Sequence, residues 1–429
     1  MVVTEFVNTV NTPYRWMDQK VALRAEAAAL RGELLESKIF AELETIIAKS
    51  ESHDLQVFVG RVMSESVEDV KDAKIPINTH SLILESSSGT TAGRRVKLFI
   101  NDCPDYILFS GQIIGVIGRL MAAGTEMHAD RILCGPSVPV VAVTRPASAS
   151  QIHVTIASGP YSPENMLIFD SIAELEVRVR DKAPDKLILM GPFLDAAHPM
   201  IAAGTVMDSF DRPVTYEDVY KEEIIPKLAR LARACENART ELIIVPSASE
   251  ARIDFPLPQP PLSALKPAIW EFLVKELPAT VKFVSNPATV RVGDLDMYVT
   301  SADALSTLNS NVLFKQAENG IGRVDACMEQ FLKSRSMFPV TPSALRIEPS
   351  MRSLLDLDDR CVPHIFVSPS LAGKRFFKKV ADRIFVNPGF MSDATGASSS
   401  VAELVISAPA DAQGATDLYS RVSGDAIKL

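Results

Sequence analysis

Short runs of Ile, Leu and Val, each closed by a polar turn, place the strongest constraint on how this 429-residue chain can fold. Helical stretches separate several of these runs, at 171–180, 216–238 and 317–334. Near-continuous aliphatic strands that alternate with helices predict an α/β layered domain whose sheet is covered on both faces. The seven predicted strands lie at 152–157, 186–190, 241–245, 281–284, 295–299, 364–367 and 383–386.

The region before these strands, from about residue 55 to 134, shows a different pattern. Its β runs follow one another without a strong helix between them. Turn-rich stretches such as 86–91 separate the runs. This arrangement predicts a small closed barrel of the OB type. The five predicted barrel strands lie at 55–62, 79–85, 95–100, 111–120 and 129–134.

The N-terminal part predicts a long amphipathic helix. Thr12 is a suitable cap and Pro13 a suitable first helical residue, and the apolar spacing continues to about Lys38. A second helical piece is predicted at 40–48, and a proline-rich stretch after residue 136 is the best linker. The predicted organisation is an N-terminal helical segment at 1–50, an OB-fold domain at 51–136, a linker at 137–150 and an α/β domain at 151–429.

Charge and cysteine content narrow the class of protein. The net charge of −9, from 44 Lys and Arg against 53 Asp and Glu, argues against a protein whose main task is to grip phosphate backbones. The five cysteines form no Cys-x-x-Cys pair, which fits a reducing compartment. The longest apolar stretch, 107–123, is too short and too polar to span a bilayer, and the first fifteen residues lack the apolar core of a signal peptide. We therefore expect an intracellular protein without a membrane partner.

Polar turns at the strand ends are the place to look for chemistry, since reactive groups in α/β sheets collect at the carboxyl ends of strands. A metallophosphoesterase uses such turns to hold two divalent ions, which requires several Asp, His and Asn ligands. This chain offers Asp195, His198 and Asp303 there, beside Asn286 and Asn387. Three anionic or imidazole ligands cannot satisfy two ions. We therefore predict no catalytic residue, no metal and no cofactor.

Short motifs in a fixed order carry a family resemblance along nearly the whole chain. They include Tyr-Arg-Trp-Met at 14–17, Gly-Pro-Phe-Leu-Asp-Ala-Ala-His at 191–198, Val-Pro-Ser at 245–247 and Asn-Pro-Gly at 387–389. Together they resemble the B subunits of DNA polymerase alpha–primase. The resemblance implies an OB-type barrel packed on an inactive calcineurin-like phosphoesterase α/β sandwich, preceded by the N-terminal amphipathic helix.

The resemblance also implies a function without catalysis. Members of this family are regulatory or scaffold subunits that bind the C-terminal zinc-bearing domain of the polymerase catalytic subunit. With the primase subunits they form a heterotetramer that supports primer synthesis at the initiation of DNA replication, in the nucleus. It implies DNA contact that is indirect or weak, and no small-molecule substrate.

The resemblance maps the lost metal-ligand turns onto particular residues. The first turn becomes Ser158-Gly159-Pro160, and the Gly-Asp-x-x-Asp turn becomes Gly191 to Asp195, with Pro192 in place of its first Asp. The other positions of this vestigial site are His198, Pro246, Ser247, Asp303, Asn387, Pro388 and Gly389.

Several of these side chains allow two interpretations. Asp195 and His198 are either a residual metal pair or residues that hold a turn by hydrogen bonds, and the second role is the commoner one. Asp303 suits a helix or turn cap. A basic cluster is either a weak patch for nucleic acid or an acidic partner, or a solvated helix face. It consists of Lys374, Arg375, Lys378 and Lys379, with Arg383 nearby.

Two other functions stay open from the sequence. One is an active metal-dependent phosphodiesterase or nuclease, which needs the strand-end ligands. The other is an independent single-stranded-DNA-binding OB protein, which needs aromatic platforms in a basic groove. The barrel region supplies few aromatic residues, so the sequence favours a protein-binding OB domain. These aromatic residues are Phe58, Phe99, Tyr106 and Phe109.

Overall fold

A computed structural model describes most of the chain and divides it into two compact units. The sandwich unit comprises residues 1–16, 140–303 and 363–429, and the barrel unit comprises 17–139 and 304–362. The described residues are 6–16, 20–47, 56–65, 77–86, 93–139, 151–204, 206, 212–318, 320–357, 362–396, 398–408 and 418–429.

The described residues form nineteen strands and nine α-helices. The strands, in chain order, are β1 (Phe6–Asn8), β2 (Gln56–Ser64), β3 (Leu82–Glu85), β4 (Arg95–Phe99), β5 (Tyr106–Leu108), β6 (Ile113–Met121), β7 (Glu126–Leu133), β8 (Ile152–Ser158), β9 (Lys186–Met190), β10 (Glu241–Val245), β11 (Lys282–Phe283), β12 (Ala288–Val292), β13 (Leu295–Val299), β14 (Leu313–Lys315), β15 (Ile365–Val367), β16 (Phe376–Val380), β17 (Arg383–Asn387), β18 (Ser400–Ile406) and β19 (Val422–Lys428).

The α-helices are α1 (Val21–Ile47), α2 (Asp170–Lys182), α3 (Pro199–Ala202), α4 (Tyr216–Val219), α5 (Ile225–Ala238), α6 (Ala268–Glu276), α7 (Ala304–Asn309), α8 (Arg323–Lys333) and α9 (Leu418–Arg421). A π-helical turn, Tyr220–Ile224, joins α4 to α5, and short 3-10 helices lie at Ala122–Gly124, Leu262–Ala264 and Pro349–Leu355. Within the described ranges, no helix has both the length and the apolar character needed to cross a membrane.

The barrel unit contains the predicted OB-type barrel. Its strands close in the order β2-β3-β4-β7-β6, and every pair is antiparallel except β4 with β7. The alternating apolar residues of these strands fill the barrel interior, among them Val62, Leu84 and Val116. Strands β6 and β7 shift register at Gly118, where a Cβ atom would lie 2.0 Å from the carbonyl oxygen of His128. Only glycine allows this close approach of the two strands.

The predicted N-terminal helix is present, but its bounds were wrong. One helix runs from Val21 to Ile47 without a break after Lys38. It buries Leu35, Ile39 and Leu43 against Val59 and other apolar residues of the barrel, because a spacing of four residues returns to the same helix face. Residues 13–16 are not helical, although Thr12-Pro13 matches a helix start. The Tyr14 hydroxyl instead donates to the carbonyl oxygen of Pro258, 2.8 Å away, within the sandwich unit.

The domain bounds also differ from the prediction that 151–429 forms one domain. Residues 304–362 belong to the barrel unit, because β14 pairs antiparallel with β5. A buried hydrogen bond of 3.1 Å between Gln112 and Gln330 adds a second connection within that unit. Hydrophobic strand patterns do not specify which sheet a strand joins. The sequence therefore carries no sign that residues 304–362 belong to the barrel unit. Of the predicted linker, 140–150 lies outside the described residues.

The sandwich unit packs two six-stranded sheets face to face. The first has the order β11-β10-β9-β8-β18-β19 and the second β1-β12-β13-β15-β17-β16. Aliphatic side chains such as Ile188, Ile243 and Met297 fill the space between the sheets. On its other face the first sheet contributes Leu187 and Leu189 to a core shared with α2, α5 and α6. The predicted layered α/β architecture is thus confirmed, with strands β1, β12, β16, β18 and β19 added to those the sequence indicated.

The strand-end edge as a candidate functional site

The carboxyl ends of parallel strands from both sheets form one edge of the sandwich unit, which we call the strand-end edge. Strands β8, β9 and β10 of the first sheet run parallel, as do β13, β15 and β17 of the second. The ends of the two sheets contact each other, since the Ser301 hydroxyl donates to the carbonyl oxygen of Pro246 at 2.7 Å. The N–H of Met391 likewise donates to the carbonyl oxygen of Ser158 at 2.8 Å. The predicted turns therefore do come together.

Asn286 is the centre of a buried hydrogen-bond network at this edge. Its side-chain amide donates to Gln259 and to the Ser301 hydroxyl, both at 2.8 Å. Its amide oxygen accepts from the Thr300 hydroxyl at 2.8 Å and from the N–H of Ser301 at 3.3 Å. Asn286 is fully buried. All of its side-chain polar atoms are therefore used within the chain.

The Asn387-Pro388-Gly389 turn at the end of β17 is also closed by internal bonds. The Asn387 side chain accepts from the N–H groups of Ser370 and Gly389 at 3.0 Å and donates to the carbonyl oxygen of Ser370 at 2.9 Å. Gly389 has φ +72°, a left-handed conformation that favours glycine. The nearby carboxylate of Asp303 accepts from the N–H of Leu371 at 2.8 Å, which is a turn contact.

The turns after β8 and β9 are packed directly on one another. Gly159 donates its N–H to the carbonyl oxygen of Met190 at 2.9 Å. A Cβ atom on Gly159 would lie 2.0 Å from the carbonyl oxygen of Pro192. A Cβ atom on Gly191 would lie 3.1 Å from the side chain of Ser247, in the turn after β10. The turns after β8, β9 and β10 thus pack closely on one another and leave little room for an ion between them.

Glu250 is a buried carboxyl group at this edge that the sequence analysis missed. It accepts hydrogen bonds from the N–H groups of Phe193 at 2.9 Å and Leu194 at 2.7 Å, and from the Tyr220 hydroxyl. Burial raises the pKa of Glu250 to about 7, although these hydrogen bonds act in the opposite direction. Glu250 therefore holds the 191–195 turn in place, with its carboxyl directed at backbone N–H groups. The signal that could have identified it is a Glu that follows an aliphatic strand and the small residues Ser-Ala-Ser.

Asp195 and His198 both form hydrogen bonds with the backbone. The Asp195 carboxylate accepts from the N–H of Ala197 at 2.9 Å, and burial raises its pKa. His198 precedes α3, where its Nδ1 accepts from the N–H of Met200 at 3.2 Å and its Nε2 lies 2.8 Å from the carbonyl oxygen of Pro163. Both imidazole nitrogens are thus engaged with the backbone, which leaves no lone pair for an ion.

A two-metal centre does not fit these residues. Across the described part of the chain, no group of three or more His, Cys, Asp and Glu side chains is arranged to hold a metal ion. Dinuclear centres require carboxylate and imidazole ligands that share two ions. The turns that the resemblance assigned to metal ligands carry Ser158, Pro160 and Pro192, and Pro246 with Ser247. We therefore derive no reaction step through a metal.

The basic cluster does not lie on a helix, so the interpretation as a solvated helix face was wrong. Residues Phe376–Val380 form strand β16, antiparallel to β17. Neighbouring strand residues point to opposite faces, which separates Lys378 from Lys379. Lys379 donates to the carbonyl oxygen of Tyr419, and Arg375 to that of Ala426 at 2.8 Å. Lys374 and Arg375 are exposed at a recess beside Gly389. The four cations therefore do not form one continuous patch.

The aromatic residues of the barrel region provide little stacking surface. Phe58 and Phe109 are buried. Phe99 is half-buried and stacks on His128 with ring centroids 4.6 Å apart, with the Lys97 ammonium 5.7 Å from its ring centre. Tyr106 is in the short strand β5 and is also half-buried. Single-stranded-DNA-binding OB domains stack several successive bases, whereas of these four aromatic residues only Phe99 and Tyr106 are partly exposed in the described part of the barrel.

Comparison with known proteins identifies the family. A family model for the B subunit of DNA polymerase alpha/epsilon matches residues 154–378, and one for the OB domain of the DNA polymerase alpha B subunit matches residues 33–135. Among solved structures, Vps29 of Chaetomium thermophilum aligns with 65% of this chain and 97% of its own, at 10% identity and a TM-score of 0.26. A similarity of that size carries no argument.

Relatives named as the B subunit of DNA polymerase alpha match most of the chain. The Schizosaccharomyces pombe protein is 28% identical over 401 residues, which is 88% of this chain and 65% of the relative. The Mus musculus protein is 26% identical over 326 residues, which is 74% of this chain and 50% of the relative. This chain thus spans between half and two thirds of the length of these relatives. With a family model that covers more than half of its residues and a second one specific to the alpha OB domain, the chain belongs to the family of DNA polymerase alpha/epsilon B subunits.

Proposed function

We propose that the chain is a non-catalytic scaffold subunit of DNA polymerase alpha–primase and acts in DNA replication. The observation that carries this proposal is the strand-end edge, where a hydrolase of this architecture would hold its metal ions. There the polar side chains bond to one another and to the backbone, from the Asn286 network to Glu250. Family membership supports the same conclusion, because the relatives are named as polymerase subunits.

The proposed partner is the C-terminal zinc-bearing domain of the polymerase catalytic subunit. Through that contact the chain would join the primase subunits in a heterotetramer and support primer synthesis at the initiation of replication. The proposed location is the nucleus, and the proposed DNA contact is indirect or weak. A permanent complex of this kind needs an interface above roughly 2,000 Å². Each unit of this chain has a closed hydrophobic core of its own, so it supplies folded surface for such an interface.

Co-expression tests the partner directly. The chain is expressed with the C-terminal domain of the catalytic subunit, purified by a tag on that domain, and passed through a sizing column at moderate salt. We expect the two to elute together in equal amounts. The matched control is the polymerase domain of the same catalytic subunit, which should not retain the chain. Separate elution of the chain and the C-terminal domain would contradict the proposal.

The alternative, an active metal-dependent phosphodiesterase, is tested by turnover of bis-nitrophenyl phosphate with Mn²⁺ or Zn²⁺. We expect the same background rate from the natural chain and from Asp195→Ala. The matched control is Asp181→Ala, which changes an exposed carboxylate at the end of α2. Turnover that Asp195→Ala abolishes and Asp181→Ala preserves would establish the hydrolase instead.

A further inference from the structure

A cavity of about 120 Å³ in the barrel unit, which we call the cationic pocket, is surrounded by positive charge. Four segments supply it: α1, β2, the end of α8 with the residues that follow, and the 3-10 helix at 349–355. Within the described residues, no Asp or Glu lines this cavity. The cationic residues that line it are Arg31, Lys38, Arg61, Lys333, Arg335 and Arg352.

Two of these six cations are paired with carboxylates, and Lys38 and Arg335 also have contacts of their own. Arg31 pairs with Asp356, and the Lys333 ammonium lies 3.1 Å from the Glu329 carboxylate. Arg352 donates to the carbonyl oxygens of Phe338 at 2.7 Å and Pro339 at 3.1 Å, which are neutral acceptors. Arg61 has no carboxylate partner in the described part of the chain. Arg61 and Arg352 therefore supply positive charge for which the described residues provide no separate carboxylate, since Asp356 is already paired with Arg31.

The cations act on one another through this confined space. Burial and then the charges of Arg31 and Arg61 lower the pKa of Arg352 to about 10, while Asp356 acts in the opposite direction. Burial also lowers the pKa of Lys38, and the charge of Arg335 adds to that effect. Such mutual repulsion is unfavourable even in a protein whose net charge is −9. An anion in the pocket would relieve it.

The size and shape of the pocket select the class of anion. A volume of about 120 Å³ is large enough for a small polyatomic anion together with a few water molecules. Arg guanidinium groups form paired hydrogen bonds with phosphate oxygens. The apolar wall of the pocket, which includes Leu35, Ile39 and Ile113, keeps bulk water away from these contacts.

We propose that the cationic pocket is a binding site for a small phosphate anion, with pyrophosphate or inorganic phosphate as its ligand. Such an anion has several phosphoryl oxygens, which can accept paired hydrogen bonds from more than one Arg guanidinium group at the same time. The same phosphoryl group also occurs at the end of a nucleic-acid strand, so the test includes both sources. The site belongs to the chain alone and needs no polymerase partner.

The test measures thermal unfolding and calorimetric binding of the full chain with pyrophosphate, at constant ionic strength and without added divalent metal. We expect one ion per chain and a saturable rise in Tm on the order of 2–4 °C. Arg61→Gln should lose most of this shift, and Arg61→Lys should regain part of it because the charge is kept. The matched control is Arg119→Gln, on the neighbouring strand β6 and paired with Asp130, which should keep the full shift.

The outcomes separate the sources and the alternatives. If a 5′-phosphorylated oligonucleotide displaces pyrophosphate and its 5′-hydroxyl counterpart does not, the pocket takes a strand end, which supports the phosphate chemistry. If neither displaces pyrophosphate, the free anion is the ligand. The proposal is overturned if no saturable shift occurs, if sodium chloride alone reproduces it, or if Arg61→Gln shows the same shift as the natural chain.

Discussion

Two regions of this molecule concentrate polar side chains, and they use them in opposite ways. At the strand-end edge of the sandwich unit, the buried amides, hydroxyls and the Glu250 carboxyl bond to partners within the chain. In the cationic pocket of the barrel unit, six positive side chains surround a cavity that no Asp or Glu lines among the residues the structure describes. In the first region the polar groups find their hydrogen-bond partners when the chain folds. In the second region the folded chain keeps an excess of positive charge.

The difference shows where binding can still take place. A buried polar group that already has its hydrogen bonds gains nothing from a ligand and loses stability when a partner is removed. A cluster of like charges loses nothing when one member is neutralised and gains when an anion arrives. Substitutions in the two regions should therefore change the free energy of unfolding in opposite directions.

The largest expected effect comes from Asn286→Ala. The change leaves Gln259, Thr300 and Ser301 without their buried partner, and each such loss costs about 1–3 kcal/mol. We expect the free energy of unfolding to fall by about 3–4 kcal/mol, measured by urea denaturation. The control Asn237→Ala changes an exposed residue of α5 and should leave stability nearly unchanged. A loss below about 1 kcal/mol for Asn286→Ala would show that the network is not needed for folding.

The next effect is a pH dependence caused by Glu250. Its pKa is raised to about 7 in the folded chain, from an ordinary value of 4.5, so the folded state binds a proton that the unfolded state releases between these values. Stability from this group is complete below about pH 4.5 and is lost as the pH rises through about 7, by about 3 kcal/mol in all.

Urea denaturation across pH 5 to about 8.5 measures this loss. Glu250→Gln should remove most of the slope, because the amide does not titrate. Glu236→Gln, an exposed position on α5, is the control and should keep the slope. A slope in Glu250→Gln equal to that of the natural chain would assign the titration to another group.

Much of the fold was predictable from the sequence because its signals are local. The five β runs without intervening helices predicted the barrel, and the aliphatic runs predicted the layers of the sandwich unit. The predicted helix start at Pro13 was wrong because of a tertiary contact. The Tyr14 hydroxyl donates to the carbonyl oxygen of Pro258, in a segment distant in sequence. The prediction that residues 304–362 belong to the α/β domain was wrong because β14 pairs with β5, about 200 residues away in sequence. Nothing in the local sequence specifies that pairing.

The candidate site was predictable in position but not in its internal contacts. Each turn was visible because it ends an aliphatic run, and parallel strands bring such turns together. Asn286 and Glu250 become central only through partners that are distant in sequence, such as Ser301 and Tyr220. The cationic pocket draws one or two residues from each of four segments, so no single stretch of sequence shows an unusual charge.

A smaller effect is expected from His198→Ala. The change removes the cap of α3 and the contact with the carbonyl oxygen of Pro163, which together cost about 1 kcal/mol. Urea denaturation measures it, with His153→Ala, at an exposed position of β8, as the control. Metal analysis of both variants and the natural chain gives a second result. Zinc or manganese that is bound by the natural chain and lost only in His198→Ala would restore the metal-pair interpretation.

The smallest effect is the most direct test of the contrast, because its sign is opposite. Arg61→Gln removes one positive charge from the cationic pocket in a chain free of phosphate. We expect the free energy of unfolding to rise by about 0.5 kcal/mol at low salt, since the repulsion with Arg352 is relieved. The gain should fade as salt increases, because added ions screen the repulsion between the cations. Arg119→Gln, which breaks an exposed pair with Asp130, should show no gain at any salt concentration. A loss of stability above about 1 kcal/mol in Arg61→Gln would mean that Arg61 is held by partners as firmly as Asn286 is, and the two regions would then no longer differ in kind.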